Sequence, residues 1–138
     1  MFDNHLYLKG ETLLRILANR FGQPDLADGF VLDGGLRTLE ETLGFQAMLA
    51  KAGCSLPLTV VYLQMPTMLS FVRLVDGENA RRRDDDTVEG VTTRLEKFFW
   101  QLEERMEAIA KEAGWTLLEV DASGPVEEVY GKACEVLK

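Results

Sequence analysis

Residues 29–38 read GFVLDGGLRT. Apolar side chains lead into Asp33, two glycines and an apolar residue, and then Arg37 and Thr38. That order suits a buried strand whose carboxyl edge faces something polar. Phe30, Val31 and Leu32 are expected as the strand, with Gly34 and Gly35 as the turn. Thr38 with Glu41 three residues later has the spacing of a capping box, which starts a helix. Leu39, Leu43 and Met48 carry that helix to about Ala52, and Gly53 ends it. A strand, a polar turn and a helix in succession are the repeating element of an α/β fold.

The flanking sequence continues the alternation. Leu13, Leu14, Leu17 and Phe21 form one helical stripe over Gly10–Phe21, stopped by Gly22 and Pro24. Leu58–Leu63 (LTVVYL) is a continuous apolar run, which predicts a strand buried on both faces of a parallel sheet. Pro66 opens a short helix through Leu69, Val72 and Arg73, and GENARRRDDD follows as a polar loop. From Thr87 a long helix is expected on Val91, Leu95, Phe98, Leu102, Met106 and Ile109, ending at Gly114. Leu117–Val120 is a third strand, Asp121–Pro125 (DASGP) a turn, and a last helix runs over Val129, Ala133 and Leu137. The expected fold class is therefore α/β, a three-layer sandwich with a small parallel sheet. Each strand delivers a polar residue to its carboxyl end (Asp33, Gln64 and Asp121), where ligands of such sheets lie.

The totals narrow the function. A chain of 138 residues fits one domain, and 46% hydrophobic with 28% charged residues makes it globular. A net charge of −8 argues against nucleic acid or anionic membrane as partner. Cys54 and Cys134 lack CxxC spacing, so they read as free, mostly buried thiols and not as zinc ligands. Neither a signal peptide nor a run of ~20 apolar residues is visible, so the expectation is a soluble, cytoplasmic protein. His5 reads as an exposed bystander, and Trp100 and Trp115 as packing residues.

Beyond these patterns, the motifs resemble a known family. GFVLDGGLRTLEE is similar to the adenylate kinase segment GFxLDGFPRTxxQ. RRDDDTVEGVTTRLEKF is similar to that family's RxDDxxxxxxxRLxxY, with Arg83, Asp85, Asp86, Arg94 and Leu95 in register. VDASGPVEEVY resembles its last strand and turn, and YLKGETLLRILANRF the helix before the LDG strand. The four segments occur in the family's order over nearly the whole chain.

The resemblance implies a single adenylate-kinase-like domain over residues 1–138, with a short lid loop at about 76–86. It implies ATP and AMP as ligands and magnesium as cofactor. Phosphoryl transfer needs positive charge fixed around dispersed negative charge, which arginines supply as planar bidentate donors. Arg37 would hold the monophosphate, with Glu41 where the family has the glutamine that reads the monophosphate base. Arg83 and Arg94 would reach the transferring phosphates, and Arg73 would stack on the adenine of the triphosphate, with Gly124 also on the triphosphate side. Asp33 would orient magnesium-bound water, a hard oxygen ligand for a hard cation. Asp85 and Asp86 would steady the lid arginines. Without its flanks, RRRDDD reads better as a solvated ion-pair cluster, and a strand-ending Asp before Gly-Gly, as at Asp33, is often only a turn residue.

The departures matter as much. No GxxGxGKGT-type loop precedes these segments, so the expected core is a truncated P-loop kinase fold missing its first strand. In the family that strand lies between those corresponding to Phe30–Leu32 and Leu58–Leu63, so two apolar strand edges are expected either to pair with a partner or a second copy or to close the gap directly. Gly35-Leu36 replaces Phe-Pro, and the second arginine expected four residues after Arg73 falls on Gly77. Three readings stay open: a degenerate relative with weak or lost nucleotide binding and negligible turnover, a pseudokinase; an active kinase fragment completed by a P-loop segment from another chain or a longer protein; or a folded remnant without a role.

Overall fold

The computed structural model describes residues 10–26, 28–52, 57–77, 84 and 86–138. In chain order the elements are α1 (Gly10–Phe21), α2 (Leu39–Lys51), β1 (Leu58–Gln64), α3 (Thr67–Val75), α4 (Val88–Phe99), α5 (Leu102–Lys111), β2 (Trp115–Asp121) and α6 (Val126–Val136), with a 3-10 turn at Pro24–Leu26 between the first two helices. This is a mixed α/β fold with a small two-stranded sheet among the described residues. The strands run parallel. Leu58 N–H donates to the Gly114 carbonyl at 3.1 Å and Ala122 N–H to the Gln64 carbonyl at 2.8 Å, so both strand starts lie together and both ends lie together.

The described residues form two compact units, one drawn from Thr59–Phe99 and Thr116–Lys138, the other from residues 10–58 and Trp100–Trp115. In the second, α1 packs on α2 and α2 on α5. Phe45 and Ile109 are each 1% exposed, and Phe45 packs edge-on against Phe21 and Trp115. Gln46 Nε2 donates to the Ala108 carbonyl at 3.1 Å, adding a polar tie between α2 and α5. In the first unit α3 packs on α4, and Val91, Val120 and Ala122 are buried.

Several sequence expectations need correction. Phe30–Leu32 is neither helix nor strand. A strand needs a ladder partner and a covered face, but Val31 is 97% exposed, while the Phe30 ring is drawn onto Phe21 at 4.5 Å. The helix expected from Thr87 to Gly114 is two helices, because Gln101 adopts φ 57°, in the left-handed region that interrupts helical hydrogen bonding. α4 then follows α3 in one unit and α5 follows α2 in the other. Trp100, at this break, is 71% exposed and is not a packing residue, whereas Trp115 is. β1 is only partly covered, with Leu63 53% exposed. Cys134 is a half-buried free thiol; Cys54, His5 and Gly53 lie outside the described residues.

Candidate functional site

The turn that carries Asp33 and Arg37 is built by unusual backbone. Gly34 has φ 77°, which glycine adopts without cost, and Leu36 has φ 56°, which a side chain resists by roughly 1–2 kcal/mol. Two side chains hold this turn. Glu41, in the first turn of α2 and 2% exposed, accepts the Arg37 N–H at 2.9 Å, and its Oε2 lies 3.6 Å from Arg37 Nε. Arg105, on α5 and 1% exposed, donates from Nη1 to the Leu36 carbonyl at 2.9 Å.

Half of the expected capping box is present as predicted: Glu41 N–H donates to Thr38 Oγ1 at 3.1 Å. The reciprocal carboxylate bond goes one residue earlier, to Arg37. Thr42, wholly buried, adds a hydroxyl bond to the Thr38 carbonyl at 3.0 Å.

Asp33 is exposed on the turn. Among the described residues no group of three or more His, Cys, Asp or Glu side chains gathers to cage a metal.

In the other unit, Arg73 at the end of α3 grips the turn after β2. Nη1 donates to the Ala122 carbonyl at 2.9 Å, and Nη2 donates to those of Ser123 at 2.7 Å and Gly124 at 3.0 Å. These three bonds commit the Arg73 guanidinium to the backbone of the β2 turn. Beside Arg73 is a cavity of about 340 Å³ lined by Tyr62, Leu63, Met65, Leu74, Phe98 and others. That volume is near the lower bound of small-ligand sites, and its lining is mostly apolar, as in such sites.

Gly77, where a second arginine was expected, has no room for a side chain. A Cβ there would lie 2.5 Å from the Arg73 carbonyl oxygen, a backbone atom that cannot step aside. Arg94 pairs with Asp86, whose side chain is 5% exposed. Arg83 and Asp85, and most of the lid segment, lie outside the described residues.

Asp121 closes the same β2 turn. Its Oδ1 accepts the Ser123 N–H at 2.9 Å, and its Oδ2 accepts from Lys132 Nζ at 3.1 Å. These bonds, the Ser123 backbone first, lower its pKa to about 2. The folded value is depressed below the ordinary carboxylate range, so the stabilisation is present above about pH 4 and is lost as pH falls through about 2. A carboxyl-carbon NMR titration should show Asp121 with a midpoint near 2, moved upward by Lys132→Met. A midpoint near ~3.9 would mean that the turn does not hold the carboxylate.

Arg105 is the residue that sequence reasoning missed. Its signal was there: it lies three residues after Leu102 and four before Ile109, on the buried stripe itself.

An α/β chain with arginines on the segments after its expected strand ends has the parts of a phosphate-handling protein. The chain is 33% identical over 128 residues to adenylate kinase of Stenotrophomonas maltophilia (strain K279a), covering 93% of this chain and 67% of that one. It is 32% identical over 127 residues to adenylate kinase of Micrococcus luteus, covering 92% of this chain and 60% of the relative. With adenylate kinase of Xylella fastidiosa (strain M23) the identity is 33% over 122 residues, 85% of this chain and 61% of the relative. No protein-family profile matches. The chain belongs to the adenylate kinase family, and it spans about 60% of the length of the Micrococcus relative and 67% of the first Stenotrophomonas one. Among the described residues, no helix is long and apolar enough to cross a membrane.

Proposed function

We propose that this chain is a degenerate member of its family. The family activity is reversible phosphoryl transfer between ATP and AMP; as an isolated polypeptide the chain binds adenine nucleotide weakly and turns over negligibly. The observation that carries this reading is the pairing of Arg37 with buried Glu41. A monophosphate approaching Arg37 must compete with a carboxylate already there, and two anions at such range repel where solvent is partly excluded. Residues 1–138 also hold no GxxGxGK stretch. A polypeptide without that loop forgoes several preorganised phosphate donors, each worth ~3 kcal/mol of barrier.

In this reading Arg37 meets the monophosphate, with Glu41 on its base-reading side. Arg73 offers a guanidinium face to the adenine of ATP next to the 340 Å³ cavity, with Gly124 alongside. Arg94, held by Asp86, and Arg83 with Asp85 would face the transferring phosphates. Magnesium, when bound with ATP, neutralises phosphate charge, and Asp33 would hold one of its waters. Residues 1–138 act as one domain with a short lid at about 76–86. The protein is cytoplasmic, uses neither nucleic acid nor membrane, and self-associates through apolar strand surfaces such as exposed Leu63.

The second reading, an active kinase completed by a P-loop segment from another chain or a longer protein, is favoured by the retention of Asp33, Arg37, Arg73 and Arg94. Calorimetric titration with AMP, ATP and a bisubstrate dinucleotide, each with magnesium, tests both. Glu41→Gln keeps an acceptor for the Arg37 N–H while removing the charge, and should tighten AMP by about tenfold. No binding to either protein would end the nucleotide reading. Turnover that appears when a GxxGxGK-bearing segment is added in trans would favour the second.

A further inference from the structure

The Leu36–Arg37 peptide is gripped from both ends. Its carbonyl accepts from Arg105 Nη1 at 2.9 Å, and its N–H donates to Glu41 Oε2 at 2.9 Å. A peptide unit is planar, so turning one end turns the other. Both side chains are buried, 1% and 2% exposed, and both arise from helices of the same unit. Leu36 supplies the reason for such a grip, since its φ of 56° disfavours the conformation in which the peptide is held.

We propose that Arg105 and Glu41 are positioning residues, a cross-helix clamp that fixes the Leu36–Arg37 peptide and so sets where Arg37 can meet an anionic phosphate; Glu41 acts in the clamp as an acceptor for the Arg37 N–H, a role separate from its charge, which opposes the phosphate. Sequence around the turn supports the need. The family's Phe-Pro, whose proline would fix its own φ, is Gly35-Leu36 here. The clamp takes over from α5 and α2 what local backbone stiffness would otherwise supply. The phosphate as ligand rests on the nucleotide reading above; the clamp itself does not.

The test is amide hydrogen exchange by NMR on the full chain, for wild type, Arg105→Met and Arg105→Lys, with AMP titration alongside. The Arg37 amide should be protected in wild type. In Arg105→Met its exchange should rise by about 10- to 100-fold, the range for losing a hydrogen bond to a charged group. Amides of Phe45 and Ile109 should keep their protection, and Arg105→Lys should restore part of the Arg37 protection. AMP affinity should fall in Arg105→Met and recover in part with lysine. An Arg37 amide unprotected in wild type would overturn the clamp without any variant. So would unchanged Arg37 exchange in Arg105→Met, or equal acceleration at Phe45 and Ile109, which would make Arg105 a general packing residue. If wild type binds no AMP, the phosphate reading fails while the exchange data still judge the clamp.

Discussion

Phe45→Ala is expected to lower unfolding free energy by about 3–5 kcal/mol. The Phe45 ring is 1% exposed and sits between two aromatic neighbours, Phe21 at 5.6 Å and Trp115 at 6.1 Å, both edge-on. Truncation removes the transfer free energy of the ring and leaves a cavity. Each lost edge-on pair adds about 0.5–1.5 kcal/mol, part of which is already within that range. Against a typical domain stability of about 5–15 kcal/mol this is a large fraction. Urea unfolding followed by tryptophan fluorescence reads it directly, because Trp115 borders the site. A loss below about 1 kcal/mol would mean that the α1–α2–α5 core is not packed around Phe45.

Asp86→Ala is expected to cost about 2–3 kcal/mol. The Asp86 side chain is 5% exposed and its partner Arg94 24%, so removing the carboxylate leaves a cation in a poorly solvated place. Most ion pairs of this kind at a surface are worth under about 1 kcal/mol, and burial of the acidic partner makes the difference. Asp86→Asn keeps an acceptor and should lose less. The measurement is again the denaturation midpoint at constant m. A change within about ±0.5 kcal/mol for Asp86→Ala would place the pair in solvent, as an isolated reading of RRRDDD suggests.

Much of the fold could be read from local chemistry. The stripe of α1, the Thr38 cap of α2, the apolar run of β1 and the turn before α6 all depend on near neighbours in sequence, and they appear where those neighbours put them. The failures share one cause: they depend on groups distant in sequence. Phe30–Leu32 has strand-forming residues, but strand formation needs a neighbour to bond, and Val31 lies open instead. The stripe from Val91 to Ile109 is continuous in sequence, yet α4 and α5 pack on different helices, and Gln101 absorbs the change. Among the candidate residues, Asp33 and Arg37 stood out by their place after an apolar run, while Arg73 and Arg94 were singled out only by resemblance to the family's motifs. The partners that hold them were less so. Arg105 acts 69 positions from Leu36, and Arg73 some 50 positions from the β2 turn. Gly77, a missing arginine by comparison with the family pattern, has a physical explanation only in the folded chain, where the Arg73 carbonyl fills its side-chain space.

We propose that this polypeptide by itself does not transfer phosphate. A coupled assay on the purified 138-residue chain with ATP, AMP and magnesium tests it most directly. The predicted result is no turnover above the uncatalysed background, at enzyme concentrations where the bisubstrate dinucleotide still shows weak binding. Clear turnover that vanishes in Arg37→Gln would contradict the account and establish a working kinase.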